Sequence, residues 1–362
     1  MRALPEFPWD RLVPYERKAA AHPGGLVDLS VGTPVDPTPR LVREALAANS
    51  DAPGYPATYG TAALREAVTA WFTRRLGIET VDPDGVLPTI GSKELVAWLP
   101  TLLGLGPGDA VVHPRLAYPT YEVGARLAGA DPVGSDSLTE LGPRRVGLIW
   151  VNSPANPHGR VLPVAHLAKV VAWARERGTV VASDECYLEF GWDAQPISVL
   201  HPDVNGGSLD GVLAVHSMSK RSTMAGYRAG FVAGDTTLVR RLLEVRRHAG
   251  MMVPTPVQAA LVAALEDDAH AAEQRARYAS RRAMLRAALH AAGFVIDHSE
   301  GGLYVWATRG EPCWDTVSRL AGRGILVAPG DFYGRAGERH VRIALTATDE
   351  RVAVAADRLA TG

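Results

Sequence analysis

One lysine stands among serines, glycines and arginines in the stretch HSMSKRSTMAGYRAGF, which runs from His216 to Phe231. The chain has only four lysines against thirty-four arginines, so the choice of Lys220 over arginine needs a reason. A lysine has an ordinary pKa of about 10.4 and becomes a useful nucleophile only when desolvation or nearby cations lower that pKa. Arg221 and Arg228 are nearby cations, so Lys220 is the first candidate for a catalytic amine.

Polar residues also end several of the apolar runs that surround this stretch. VGLIWV ends at Asn152, TVVAS ends at Asp184 and GVLAVH ends at Ser217. Ligands of an open α/β sheet bind at the carboxyl ends of its strands, so these side chains are expected to line one crevice.

Three parts of this crevice match what pyridoxal phosphate chemistry needs: a lysine to hold the cofactor, an acid for its ring nitrogen and a phosphate cradle. Lys220 supplies the first part, and Asp184 in SDECY supplies the second, because a buried carboxylate requires a cationic partner. Gly91, Ser92 and Lys93 precede an apolar helix, where free N–H groups suit a phosphate. Gly-Ser also opens many helices that bind nothing, so the third part alone is weak evidence.

The elements that must position these residues form a mostly parallel sheet. PVAHLAKVVAWARERG begins with Pro163, ends with Gly178 and carries apolar residues at helical spacing, between two continuous apolar runs. This βαβ pattern predicts an α/β fold with helices on both faces of the sheet. We expect three parts: an N-terminal segment (1–48) that joins a smaller α+β domain (249–362), and a large domain (49–248).

Composition favours a small-molecule function. A formal net charge of −1 and intermixed charges predict neither nucleic-acid nor membrane binding. Cys186 and Cys313 are too few for a disulfide framework, no membrane-spanning run or signal segment is visible, and no metal site is predicted. The expected location is the cytoplasm.

In this order, the motifs resemble the class I/II aminotransferases of pyridoxal phosphate fold type I, over almost the whole chain. SMSKRSTMAGYR resembles the block that carries the cofactor lysine, which implies that Lys220 binds pyridoxal 5'-phosphate and that Ser217 and Arg228 hold its phosphate. NSPANPHG and DECY resemble the family's segments that contact the ring. They imply that Asn156 and Tyr187 donate to the phenolic oxygen.

The same resemblance assigns further residues around the cofactor. It places Asp184 at the ring nitrogen, with Lys220, Asp184 and Tyr187 as the catalytic group. AYPTY implies that Tyr118 stacks on the ring, and YPATYGTAALREAV implies that Tyr55 reaches the phosphate of a neighbouring subunit in a homodimer. His158 departs from the family, which usually has threonine there.

Two more segments concern the substrate. LSVGTPVDPTP resembles a loop in which Gly32 offers its backbone to the substrate carboxylate, and HVRIALTAT resembles the segment in which Arg342 clamps that carboxylate. The implied partners are therefore amino acids and 2-oxo acids, exchanged with ping-pong kinetics.

The sequence as a whole resembles the actinobacterial branch of N-succinyl-L,L-diaminopimelate aminotransferases, which implies 2-oxoglutarate and glutamate as the second pair. Arg17, Arg115 and Arg221 are candidates for distal carboxylates, and Phe332 and Tyr333 lie in a loop that could cover the substrate. Other interpretations stay open: an aspartate or aromatic specificity, a β-lyase, or a binding module that keeps the fold without turnover.

Overall fold

A computed structural model describes residues 4–360 of the chain. Its strands, in chain order, are β1 (Val27–Asp28), β2 (Val86–Ile90), β3 (Ala110–His113), β4 (Asp131–Gly134), β5 (Val146–Asn152), β6 (Val180–Asp184), β7 (Val212–Ser217), β8 (Ala229–Gly234), β9 (Val295–Ile296), β10 (Tyr304–Thr308), β11 (Ile325–Leu326), β12 (Ala328–Pro329) and β13 (His340–Ala344). Its α-helices are α1 (Val13–Ala20), α2 (Arg40–Ala48), α3 (Ala62–Leu76), α4 (Gly91–Leu102), α5 (Thr120–Ala128), α6 (Val164–Arg175), α7 (Pro202–Asn205), α8 (Met218–Arg221), α9 (Thr236–Ala249), α10 (Thr255–Glu266), α11 (Ala269–Ala291), α12 (Cys313–Gly322) and α13 (Asp349–Ala360).

The larger sheet has the strand order β2-β8-β7-β6-β5-β3-β4. Strand β8 pairs antiparallel with its two neighbours, β2 and β7. The other strand pairs described in this sheet are parallel. The predicted α/β fold with a mostly parallel sheet is confirmed.

Both faces of this sheet are buried, which explains why its strands are continuously apolar. Along β5, Ile149 and Val151 pack into one core, whereas Leu148 and Trp150 pack into another on the opposite face. Helices α3, α6 and α10 contribute to the first core, and α4, α5 and α9 contribute to the second.

Helix α6 forms where the sequence predicts it. Pro163 precedes its first residue in an extended conformation, and Gly178 shortly after its end takes a left-handed φ of 62°. Leu167, Val170 and Val171 are buried against the sheet. The helix thus returns the chain from β5 to β6, which lie side by side.

The smaller sheet has the order β12-β13-β10-β9 and is antiparallel. It shares a third core with α11, α12 and α13, as expected for a smaller α+β part of the chain. Strand β1 pairs in parallel with β11, so the start of the chain is attached to this smaller part.

Two helices pack differently from the predicted division into 1–48, 49–248 and 249–362. Val42 of α2 and Val257 and Leu261 of α10 belong to the core of the larger sheet. The reason is that α10 buries several apolar side chains between α2 and α3 instead of against the smaller sheet. The three-part division itself stays a prediction. Within residues 4–360, no helix is both long and apolar enough to cross a membrane.

Candidate active site

The carboxyl ends of β5, β6 and β7 meet at one edge of the larger sheet. Asn152 and Asp184 are register partners, and Ser217 ends the next strand. A cavity of about 760 Å³ opens at this edge. Its lining includes these residues proposed from the sequence: Gly32, Ser92, Lys93, Tyr118, Asn156, Asp184, Tyr187, Ser217, Lys220, Arg228 and Arg342.

Lys220 lies in the short helix α8 that directly follows β7. The Ser217 side chain begins this helix by accepting a hydrogen bond from the Ser219 N–H at 3.2 Å. Lys220 Nζ donates to the carbonyl oxygen of Gly32. Burial lowers the pKa of the Lys220 ammonium, and Arg342 and Arg228 lower it further. The amine therefore has the environment that a neutral nucleophile or base needs.

Arg221 does not share in this tuning, contrary to one expectation from the sequence. Its guanidinium is buried and paired with Glu189 at 2.5 Å and with Asp268 at 3.3 Å. The sequence suggested that the neighbouring Arg221 helps to lower the pKa of Lys220. Arg342, more than a hundred residues further along the chain, has that effect instead.

Asp184 is a buried carboxylate that faces the cavity. Its oxygens accept hydrogen bonds from the Tyr121 hydroxyl at 2.8 Å and from the Cys186 N–H at 3.2 Å. Burial raises the pKa of the Asp184 carboxyl, and these neutral donors oppose that shift only in part. A protonated ring nitrogen in the cavity would supply the missing positive charge.

The expected phosphate cradle forms where β2 leads into α4. Gly91 has a left-handed φ of 70°, and a Cβ there would overlap the guanidinium of Arg228. Arg228 itself has a φ of 56° and donates to Ala225 O at 2.8 Å. The helix N-terminus, Ser92, Ser217 and Arg228 thus surround one end of the cavity, and this arrangement suits a phosphate dianion.

Arg342 is buried on β13 at the other side of the cavity. It donates to Ser30 O at 2.6 Å and to Asn156 Oδ1 at 3.0 Å, and its Nε has no acceptor within residues 4–360. Because a guanidinium only donates, the Asn156 amide must turn its oxygen toward Arg342. The Asn156 NH₂ then remains available as the donor that the family resemblance implies.

Three aromatic residues complete the centre of the cavity. The Tyr187 and Tyr304 hydroxyls are 3.1 Å apart, and the Tyr304 ring lies 3.9 Å from the Arg342 guanidinium carbon. Burial raises the pKa of Tyr118 to about 12, so its hydroxyl stays protonated. Tyr304 also explains why a glycine is needed at position 32, because a Cβ there would overlap the Tyr304 hydroxyl.

The turn that carries Asn156 is held by His158. Its carbonyl accepts from the Ser299 N–H at 2.8 Å, and its Nδ1 accepts from the Arg160 N–H at 3.1 Å. Asn156 keeps its own backbone bond to Asn152 Oδ1 at 2.7 Å. Histidine in place of the usual threonine is therefore compatible with the predicted position of Asn156.

Several sequence suggestions about the outer part of the site do not match the geometry. Arg17 and Arg115 lie outside the cavity lining, and Arg115 pairs with Glu140 at 2.6 Å. Phe332 and Tyr333 are buried and pack behind Trp9 instead of lining the cavity. Tyr55 is 95% exposed and lies away from the cavity of its own chain, so its role in a second subunit stays a prediction.

Sequence reasoning missed other residues of the site. Tyr121 lies in the first turn of α5 and its hydroxyl donates to Asp184, but the AYPTY motif drew attention only to Tyr118, which precedes the helix. Tyr304, Phe7 and Trp9 also line the cavity, but they carry no local signal because their strand-end neighbours are distant in sequence.

Fold and site together define an enzyme of amino-group chemistry, and comparisons with known proteins identify its family. The profile described as "Aminotransferase class I and II" matches residues 25–359. The chain belongs to this family. Its members use pyridoxal 5'-phosphate, and the buried acid, the amine and the phosphate cradle described above fit that cofactor.

Three individual proteins show the range of its relatives. The chain is 65% identical to the 4-dedimethylamino-4-oxo-anhydrotetracycline transaminase OxyQ of Streptomyces rimosus, over 99% of this chain and 100% of OxyQ. It is also 65% identical to a "probable aminotransferase" of Mycobacterium tuberculosis, over 99% of this chain and 85% of that protein. A solved "probable N-succinyldiaminopimelate aminotransferase" from Thermus thermophilus superposes with a TM-score of 0.88 at 27% identity, covering 98% of this chain and 99% of that one.

Proposed function

We propose that this aminotransferase exchanges the amino group of N-succinyl-L,L-diaminopimelate with 2-oxoglutarate, and that it works as a cytoplasmic homodimer. The observation that carries the substrate proposal is Lys93, which the sequence suggested for the phosphate cradle. It lines the cavity beside the Phe7 ring, and no carboxylate pairs with it in the described part of the chain, so we assign it to the substrate instead. A donor with carboxylates far from its amino group would use that charge. The Thermus thermophilus structure, whose name refers to the same substrate, supports this choice.

In the proposed reaction, Arg342 binds the α-carboxylate of the incoming amino acid. Its guanidinium is held by Ser30 and Asn156, so the carboxylate is bound in a fixed orientation, and Nε gains an acceptor. Because Arg342 is buried, water would be excluded from its contact with the substrate carboxylate, and this strengthens the ion pair. This orientation would direct the Cα hydrogen of the substrate toward Lys220.

Lys220 is proposed to move the proton. Its lowered pKa makes the neutral amine accessible. Nζ would accept the proton from Cα and give it up again within the same half of the exchange, and in the second half it would return a proton to Cα of the new amino acid. Pyridoxal 5'-phosphate, when bound, supplies an electron sink for the charge left on Cα. Asp184 would hold a proton at the ring nitrogen, and Asn156 and Tyr187 would donate to the phenolic oxygen.

A second candidate substrate is a polycyclic ketone of the anhydrotetracycline type. Two observations favour it: the 65% identity to OxyQ over nearly the full length of both chains, and the two aromatic side chains Phe7 and Trp9 in the cavity lining. The cofactor residues would be the same for both substrates, because the amino transfer is the same.

A competition between donors tests the proposal. Purified holoenzyme is assayed for glutamate formation from 2-oxoglutarate with N-succinyl-L,L-diaminopimelate, beside aspartate, aromatic amino acids and the amine of an anhydrotetracycline. We expect the succinylated donor to have the highest kcat/KM. A higher kcat/KM for the tetracycline amine would replace the first substrate with the second. Release of pyruvate from a cysteine conjugate without a 2-oxo acid would indicate a β-lyase instead.

A further inference from the structure

The N-terminal arm, defined here as Leu4–Leu12, forms part of the cavity lining although it precedes the predicted site motifs. Phe7 and Trp9 both line the cavity. Phe7 is 56% exposed, so its ring is accessible to a ligand that occupies the outer part of the cavity. The arm therefore presents apolar surface to whatever occupies the outer part of the site.

The arm is packed, through a buried tyrosine behind the cavity wall, against the carboxylate clamp. The Phe7 and Trp9 ring centroids are 5.6 Å apart, and Trp9 lies 6.4 Å from Tyr333, whose ring lies 4.9 Å from the Arg342 guanidinium carbon. Packing of Trp9 on the buried Tyr333 thus fixes the position of the arm relative to the residue proposed to bind the α-carboxylate. We call the pair Phe7 and Trp9 the aromatic wall.

The arm is held in place by contacts that do not involve the cavity. Arg11 pairs with Asp331 at 3.1 Å, and its guanidinium carbon lies 4.7 Å from the Trp314 ring centroid. The Trp314 indole donates to the same Asp331 carboxylate at 2.8 Å. These contacts attach the arm to the smaller sheet's part of the chain, so the aromatic wall is preorganised for binding.

Two polar groups lie beside the aromatic wall. Lys93 Nζ is 5.8 Å from the Phe7 ring centroid. The Trp9 indole N–H is buried and has no acceptor among the described residues. A buried donor without an acceptor costs free energy, which a ligand oxygen would recover.

We infer that the N-terminal arm is the specificity element for the substrate side chain. The aromatic wall contacts the body of a long or flat side chain, the Trp9 N–H donates to a carbonyl or carboxylate oxygen on it, and Lys93 pairs with its distal anion. The preferred substrate class is therefore an amino acid with an extended side chain that ends in an acidic group. This inference rests on the proposed function for the placement of the α-carboxylate at Arg342.

Kinetics of arm variants with a long and a short donor test the inference. The long donor is the best one found in the competition between donors, and the short one is L-alanine, measured as a substrate or as a competitive inhibitor. Phe7→Ala and Trp9→Ala are expected to raise KM for the long donor roughly tenfold, with kcat within about threefold, because contacts to the side chain contribute binding energy. Constants for L-alanine should change less than about twofold.

Two further variants separate recognition from folding. Trp9→Phe keeps a ring and removes the indole N–H, so it should give a smaller rise in KM for the long donor. Val13→Ala, at an exposed position just beyond the arm and outside the cavity lining, should leave both donors unchanged. Equal changes for long and short donors, or unchanged KM for the long donor, would overturn the inference. If the enzyme does not turn over the succinylated donor but accepts another long donor, the proposed substrate is rejected. The role of the arm is then tested with that other donor.

Discussion

At the scale of single residues, the choice of lysine at position 220 follows from what its neighbours do to its charge. Burial removes the water that would stabilise the ammonium form and so lowers the pKa of Lys220, and Arg342 and Arg228 act in the same direction. A guanidinium in the same place would stay protonated and could not act as an imine-forming amine or a base. The site therefore uses arginine where charge is needed and lysine where charge must be lost.

Lys220→Ala tests this assignment most directly. We expect turnover to fall by about a thousandfold or more, and the visible absorbance of lysine-bound cofactor to disappear, because no other described lysine except Lys93 lines the cavity. Absorption spectra and steady-state kinetics provide the measurement, and circular dichroism controls for folding. A variant that kept both the absorbance and the turnover would exclude Lys220 as the catalytic amine.

Asp184→Asn separates cofactor binding from its activation. The amide keeps the shape of the side chain but loses the charge that the ring nitrogen needs, so we expect the cofactor to bind while kcat falls about a hundredfold. Tyr121→Phe is the matched control, since it removes a hydrogen bond to Asp184 and leaves the carboxylate itself. Near wild-type kcat in Asp184→Asn would contradict the proposed role.

At the scale of elements, the turn that follows β5 depends on a neutral histidine. Burial lowers the pKa of His158 to about 3, and His298, Arg160 and His340 add to this effect. The nearby carboxylate Glu300 is engaged by the Val161 N–H at 2.8 Å and by His298 at 3.5 Å. Protonation of His158 at Nδ1 would also break its hydrogen bond from the Arg160 N–H.

The pH dependence of stability follows from this lowered pKa. An unfolded chain binds a proton at His158 below a pH of about 6.5, whereas the folded chain resists until about 3, so the contribution is fully present above 6.5 and is lost as pH falls toward 3. We expect His158→Thr to lose less stability than the wild type between pH 7 and pH 4, by about 3 kcal/mol, since pH 4 lies about 2.5 units below the unfolded pKa and one unit corresponds to about 1.4 kcal/mol. Urea denaturation at several pH values measures this difference.

The exposed His248 provides the control for that experiment. His248→Thr should follow the wild-type pH dependence, because its side chain lies outside the turn. Parallel loss of stability in His158→Thr and the wild type would show that His158 does not control the acid sensitivity of the fold.

The elements also show what could be predicted from the sequence. Residues at strand ends, such as Asp184 and Ser217, were found because parallel strands end at a common edge and their apolar runs are easy to recognise. The positions of Tyr304 and Trp9 in the site could not be predicted, nor could the pairing of Arg221 with Glu189. Each depends on contacts between distant parts of the chain. Local sequence patterns predict where strands end and helices begin, but they do not predict which distant segments contact each other.

At the scale of the whole molecule, Tyr55 provides a test of the proposed homodimer. Its side chain is 95% exposed and lies away from its own cavity, as expected for a residue that completes the site of a second copy. Lys220→Ala and Tyr55→Ala chains should each form weakly active dimers. A hybrid of the two would contain one site with both residues intact and one site with neither.

Mixing the two variants therefore has a definite expected result. After unfolding and joint refolding, random pairing makes about half of the dimers hybrids with one intact site, so activity should recover to about a quarter of the wild-type value. Each variant refolded alone is the control, and light scattering measures the assembly. No recovery on mixing, despite dimer formation, would show that Tyr55 does not serve the neighbouring site.

The separation between the arm and the strand ends has a consequence for how such enzymes diverge. The residues proposed to hold the cofactor lie mainly at the strand ends of the larger sheet, whereas the aromatic wall belongs to a short segment fixed to the smaller part of the chain. A few substitutions in that segment could change which molecule is accepted and leave the chemistry intact. Two members of the family could thus accept different amino donors while most of their sequence, including the lysine and the acid at the strand ends, remained alike.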